Sequence, residues 1–226
     1  MKSTKSMKSS IFPFRLLFAF LFLTLGTNQV TAQENQTEND QEENIGRFLS
    51  FQATLLRPVA FGDNFANDAL SQKVGYEIAL RFYIYKSFFL GVEGGSFSAD
   101  VDNKELVGDY DNSNANTYGL TSGYSYSLNK FHEIDAAISY GSANYRNEKK
   151  EIDDRFVDDG NYVKLQVQYN YNFTQHISVY AMAGWRYDFL DVDTSPQIDD
   201  FINKANYFTF GIGVKYTVIT DRSQLW

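Results

Sequence analysis

Eight charged side chains fall at alternate positions within segments otherwise made of small and apolar residues. They are Glu77, Arg81, Glu93, Asp135, Lys164, Arg186, Asp188 and Lys215. Four are acids and four are bases. An ion taken out of water needs a partner of opposite sign, and a balanced set supplies one to each. Such a set can neutralise itself as a network of ion pairs, or it can line a path for ions. The choice depends on the elements that carry these residues and on which face of those elements is enclosed.

The clearest element runs from Asn161 to Phe189. Val163, Leu165, Val167, Tyr169, Tyr171 and Phe173 alternate with Lys164, Gln166, Gln168, Asn170 and Asn172. After Thr174-Gln175, Ile177, Val179, Ala181, Ala183, Trp185, Tyr187 and Phe189 alternate with Ser178, Tyr180, Met182, Gly184, Arg186 and Asp188. A period of two over this length is a β-hairpin with one apolar and one polar face. The pattern recurs over about residues 47–57, 73–85, 88–99, 116–128, 133–145 and 207–219, giving eight strands. Connections alternate between short turns, near Lys86-Ser87, Asn129-Lys130 and Thr174-Gln175, and long loops at about 59–72, 100–115, 146–160 and 190–206. An even strand count, with tight turns at one end and long loops at the other, is the plan of transmembrane barrels.

A soluble barrel of the lipocalin type also has one apolar face, but turns it inward around a ligand. Its outer polar face would be rich in Lys and Glu. Here the polar set is mostly Gly, Ser, Thr, Ala, Asn and Gln, the small residues that fit a narrow interior. The apolar set is banded. Tyr169, Tyr171 and Phe173 mark one end of the hairpin and Trp185, Tyr187 and Phe189 the other, as membrane-interface girdles do. The fold expected is therefore all-β: an eight-stranded antiparallel up-and-down transmembrane β-barrel with a polar, plugged interior. Short turns and both termini would face the periplasm and the long loops the outside.

Composition agrees. Aromatics make up 17% of the chain, as a protein with two girdles requires, and only three prolines interrupt the strands. With no cysteine there is no disulfide, thiolate metal site or lipidated N-terminal Cys. Lys2, Lys5, Lys8 and Arg15 precede the apolar run Leu16–Leu25, and small residues at Val30 and Ala32 close the segment. Ten apolar residues are too few for a transmembrane helix, so residues 1–32 read as a secretory signal peptide. Residues 33–45 form a polar periplasmic leader and residues 46–226 the barrel domain. Beyond the signal, 16 basic residues stand against 28 acidic ones, which excludes nucleic acid as a partner.

In this architecture the chain resembles the small outer-membrane β-barrel family of the OmpA-domain and OmpX type, from about Gly46 onward. The resemblance implies outer-membrane localisation, a monomer, contact with lipid and lipopolysaccharide, and delivery by the barrel-assembly machinery. That machinery reads a glycine followed by spaced apolar and aromatic residues in the last strand, and Gly213, Tyr216 and Val218 look like that signal. Trp226 supplies the family's terminal aromatic, although Thr220-Asp-Arg-Ser-Gln224 separates it from the strand. His176-Ile-Ser178 resembles the His-x-Ser of lipid A deacylase barrels, but it adjoins a short turn, and Leu190 stands where that family has an acid. No catalytic residue and no cofactor is expected. The leading expectation is a non-enzymatic barrel that presents surface loops for envelope integrity, adhesion or another surface interaction. The alternatives are a small channel, a lipid A-modifying enzyme and a soluble carrier.

The loops are acidic. Asp100, Asp102, Glu105, Asp109 and Asp111 lie in the second, Asp153, Asp154, Asp158 and Asp159 in the third, Asp191, Asp193, Asp199 and Asp200 in the fourth. Clustered carboxylates can hold Ca²⁺ or bridge lipopolysaccharide through divalent cations. None has the glycine and closing glutamate of an EF-hand, so no metal is expected and the loops read as solvated and mutually repelling. His132, beside a turn, reads as an exposed histidine. One contact is expected inside, Arg81 with Glu93, either directly opposed on adjacent strands or, with Arg81 opposite Gly91, diagonal and within reach of the long side chain.

Overall fold

The computed structural model describes residues 45–149, 155–192 and 199–221. The expected signal peptide, nearly all of the leader, and Trp226 lie outside them. The strands are β1 (Ile45–Ala60), β2 (Leu70–Gln72), β3 (Gly75–Tyr85), β4 (Phe88–Val101), β5 (Asn112–Ser127), β6 (His132–Glu148), β7 (Arg155–Asn172), β8 (Ile177–Leu190) and β9 (Lys204–Asp221). Single helical turns, α1 (Phe65–Asp68), α2 (Lys104–Val107) and α3 (Asp199–Ile202), sit in three of the long loops. Eight strands close an antiparallel barrel in the order β1-β3-β4-β5-β6-β7-β8-β9, with β9 pairing back on β1.

The register fixes the barrel's shape. Ser50 opposes Arg81, and the row continues through Gly91, Thr121, Ser139, Lys164, Arg186 and Tyr207. Tyr207 then opposes Ala60, ten residues beyond the start on β1. A shear of ten over eight strands tilts them by about 40°, given a rise near 3.3 Å and a spacing near 4.8 Å. The row of hydrogen bonds therefore climbs toward the long loops by a little over one residue per strand.

Alternation has the sense expected. Phe51, Leu55, Ile78, Leu120, Ile138, Val167, Ile212 and Val214 point outward and are 49–69% exposed, whereas Gln52, Thr54, Glu77, Thr121, Lys164, Gln168 and Lys215 point inward and are at most 9% exposed. The outward apolar run on β9, Phe208 to Val218, has the length of about 9–11 residues that a tilted strand needs to cross a bilayer. Both expected girdles face outward. Tyr169, Tyr171 and Phe173 lie near the turn end, and Trp185, Tyr187 and Phe189 near the loop end.

The structure corrects the expected strand limits. β5, β6, β7 and β9 all extend farther toward the loop end, and β2 is an additional strand that pairs with β4 inside the first long loop. The reason lies in a reversal of faces. Above the row Leu120, Tyr140 and Val163, the outer face turns polar, with Asn114, Asn116, Ser142, Asn144, Asp159 and Asn161. The inner face turns apolar, with Phe97, Ala99, Ala115, Ala143, Tyr145 and Ala205. Phe65 and Ala66 of α1, together with Leu70 of β2, drop into this upper mouth and complete a small core. The cap is held by polar contacts as well: Asn64 caps α1 through Asn67 N, and Gln72 bonds the Ala60 N–H and the Ala66 carbonyl. Below the boundary the barrel has the polarity of a membrane protein, and above it the polarity of a soluble β-domain.

Candidate functional site

The site is the enclosed lumen. All eight charged residues singled out in the sequence point into it. Arg47 and Glu133 join them, so five cations face five carboxylates among the described residues. They form three tiers.

The tier nearest the short turns joins four strands. Arg81 Nη1 on β3 donates to Asp135 Oδ2 on β6 at 3.0 Å. Lys215 Nζ on β9 donates to Glu133 Oε1 at 2.6 Å and to Asp135 Oδ2 at 3.4 Å. Arg47 on β1 pairs with Glu133. Arg81 also lies over the Phe89 ring, 4.5 Å from its centre, and is fully buried. In the middle tier Lys164 sits between two acids, 2.8 Å from Glu77 Oε2 and 2.6 Å from Glu93 Oε1. Tyr162 Oη donates to the same Glu93 oxygen at 2.9 Å. In the upper tier Arg186 Nε donates to Asp188 Oδ1 at 2.7 Å, and Tyr145 Oη donates to Asp188 Oδ2 at 2.5 Å. The Arg186 guanidinium is enclosed by the rings of Phe97, Tyr162 and Tyr207, each between 5.3 and 5.6 Å from it.

The expected contact between Arg81 and Glu93 is absent, and the tilt explains why. Arg81 opposes Gly91, while Glu93 opposes Ala79. Because β4 climbs away from the turn, Glu93 lies higher in the barrel than Arg81. Asp135, across the lumen on β6, lies at nearly the same height and takes the guanidinium instead. In a narrow tilted barrel, partners are matched by height across the lumen rather than by register along the sheet.

Two members of the network escape a reading by alternation. Arg47 shares parity with the outward-facing Leu49 and Phe51, and a bulge between Arg47 and Leu49 turns it inward. Glu133 opens β6 beside a turn, where an exposed acid is the ordinary case, yet it is 1% exposed and joins two cations. The lumen is also filled by rings. A Cβ at Gly119 would collide with the hydroxyl of Tyr162, and one at Gly213 with the ring of Tyr180. Gly213 thus has a packing reason to be glycine, while Tyr216 and Val218 face outward along β9. Between the upper and middle tiers remains a cavity of about 20 Å³, lined by Glu77, Glu93, Tyr162, Lys164 and Arg186 among others. That is room for about one water molecule.

His176 and Ser178 are not brought together as a catalytic pair. His176 Nδ1 lies 2.9 Å from the Thr217 carbonyl, and the Ser178 hydroxyl donates to Asn172 Oδ1 at 2.6 Å. His132 Nδ1 contacts the Tyr169 hydroxyl at 2.6 Å. In the loops, several acids are paired rather than mutually repelling. Lys73 meets Asp100, Lys104 meets Asp109 and Asp111, and Lys149 also meets Asp109. Hydrogen bonds from Lys149 and then Lys104 hold the Asp109 carboxyl down at about 2. A lowered carboxylate supports the folded state above its unfolded value, and that support is lost as pH falls through about 2. These contacts therefore persist through the mildly acidic range. Asp153, Asp154 and Asp193 lie outside the described residues.

No family model matches the chain, and no curated protein matches it in sequence. Solved structures do match its fold. The crystal structure of Neisserial surface protein A aligns with a TM-score of 0.56 at 10% identity, covering 75% of this chain and 97% of the other. Outer membrane protein OprG from Pseudomonas aeruginosa aligns at 0.49 and 10% identity, covering 76% and 97%. Ail, the attachment invasion locus protein of Yersinia pestis, aligns at 0.47 and 12% identity, covering 78% and 99%. At these identities the likeness is one of fold.

Proposed function

We propose that the protein is a non-enzymatic integral outer-membrane barrel that carries a small folded domain on the cell surface. The observation that carries this reading is the pair of opposed polarities. An apolar exterior surrounds a neutralised, filled lumen, and directly above it a polar exterior surrounds an apolar core. The first suits a bilayer and the second suits water. A lumen closed by three ion-paired tiers and capped by α1 and β2 serves to hold the barrel rigid, not to pass solute. The monomer meets lipid and lipopolysaccharide around its girdles, and the outward Tyr216 and Val218 of β9 offer the assembly machinery its signal. The upper domain presents polar, acidic surface to whatever it meets outside.

Two measurements test this. A folded membrane barrel migrates differently on an SDS gel before and after boiling, and purified protein in a planar bilayer should show no large steady conductance. Recovery as a detergent-free soluble monomer would sink the membrane reading, and stable porin-sized currents would sink the plugged lumen. Orientation can be read because the chain has no cysteine. Asp109→Cys, at the long-loop end, should react in intact cells with a maleimide that cannot cross the outer membrane. Lys130→Cys, in a short turn, should react only after lysis. The opposite pattern would mean an inverted barrel.

A further inference from the structure

Arg57 is an outward cation in an apolar setting. It lies on the outward face of β1 between Leu55 and Val59, which are 61% and 45% exposed. Across the strand pair it opposes Phe210, itself 55% exposed, and the exposed Phe208 lies one outward step above. On the other flank Leu55 opposes Tyr76, so Tyr76 is the diagonal outward neighbour of Arg57. Arg57 is thus a charge set into the apolar belt, close to where that belt gives way to the polar ring of Asn116, Ser142 and Asn161. Among the described residues it has no partner. Apart from Arg155, the other described arginine and lysine side chains have an ion pair, a hydrogen bond, a ring contact or an electrostatic partner. In water an unpaired arginine is unremarkable. At the edge of hydrocarbon it must reach an anion or water beyond the belt.

We infer that Arg57 and Tyr76 form a docking point for a phosphate group of an outer-leaflet glycolipid. This rests on the membrane reading and on the long-loop end facing outward. A guanidinium offers a planar fork that matches two phosphate oxygens, and the belt around it excludes water from the contact. The Tyr76 phenol, 56% exposed on the same face, supplies a further donor. Leu55, Val59, Phe208 and Phe210 form the wall against which acyl chains of the same lipid would lie. A lipid satisfies both halves of this surface, the cation and the wall, whereas free phosphate satisfies only the first.

The test uses the full-length folded barrel in detergent, titrated with diphosphorylated lipid A and, separately, with chemically dephosphorylated lipid A. Bound lipid is counted by native mass spectrometry. The expected result is that Arg57→Gln weakens phosphorylated lipid A about tenfold while leaving the dephosphorylated form unchanged. Tyr76→Phe should cause a smaller loss, and Arg57→Lys should restore part of the binding. Arg146→Gln, on the outward face above the belt, is the control and should behave as wild type. Equal binding of phosphorylated lipid by wild type and Arg57→Gln would overturn the proposal. Displacement of the lipid by millimolar inorganic phosphate would overturn the choice of a lipid as the source. The gel shift on boiling, measured on each variant, reports the barrel separately, so a lost shift would indict the membrane reading and a retained shift with unchanged binding only the docking point.

Discussion

Replacing Lys164 by methionine should destabilise the barrel by about 3–5 kcal/mol, the largest single effect in the lumen. Lys164 is 3% exposed and lies between two carboxylates that are themselves buried. Removing the ammonium leaves Glu77 and Glu93 facing each other with no cation between them. Tyr162 can still donate to Glu93, but one hydrogen bond does not offset two unpaired charges. Unfolding by urea in lipid vesicles, followed through Trp fluorescence, measures the loss. The same substitution combined with Glu77→Gln and Glu93→Gln should recover most of it, because an uncharged tier carries no unpaired ion. Strict additivity of the three changes would mean the tier is hydrated and its members are screened from one another. A hydrated tier would also weaken the case for a closed lumen, since in a water-filled pore Lys164→Met would alter conductance and scarcely touch stability.

How much of this could be read from the chain follows from what alternation encodes. Parity along a strand is local, so the inward set Glu77, Arg81, Glu93, Lys164 and Lys215 and the outward set around Val167 are legible without any fold. Height in the barrel is not local. It depends on shear, which is a property of the closed ring, and for that reason Arg81 meets Asp135 instead of Glu93. A bulge breaks parity with no composition signal of its own, and Arg47 was legible only as an outward residue. The upper domain stayed hidden because its strands reverse their faces. Asn112 and Asn114 alternate with Ser113 and Ala115, a stretch with no large apolar residue, and so read as loop. Its core is supplied from elsewhere, by Phe65 and Leu70 of the first loop. The signal that could have exposed it is the continued small-residue set Ala99, Ala115, Ala143 and Ala205, in phase with the inward faces below.

Along β6 the response to an arginine should reverse between the lower and upper halves of the strand. Ile138 faces outward within the apolar belt and is 49% exposed. Ile138→Arg places a charge near the middle of the bilayer and should cost about 2–4 kcal/mol. Its neighbour Ala137 faces the polar lumen, and Ala137→Ser should stay within about 0.5 kcal/mol. Six residues past Ile138, Asn144 also faces outward, beside Asp159 with which it shares a hydrogen bond. Asn144→Arg should be tolerated, since the new guanidinium meets water and a carboxylate. Ala143, adjacent to it, is fully buried in the apolar cluster with Tyr145, Tyr162 and Phe97. Ala143→Arg forces a long charged side chain into that core and should cost more than about 3 kcal/mol, through both crowding and an unpaired ion. Outward charge is thus harmful at 138 and harmless at 144, while at 143 it is inward charge that is harmful. The four variants, unfolded by urea in vesicles of one lipid composition, give the comparison directly. If Asn144→Arg were as damaging as Ile138→Arg, the belt would extend higher than the polar ring and the upper half of β6 would lie in lipid. If Ala143→Arg were harmless, the apolar cluster would not be a core, and the cap formed by α1 and β2 would not seal the barrel mouth.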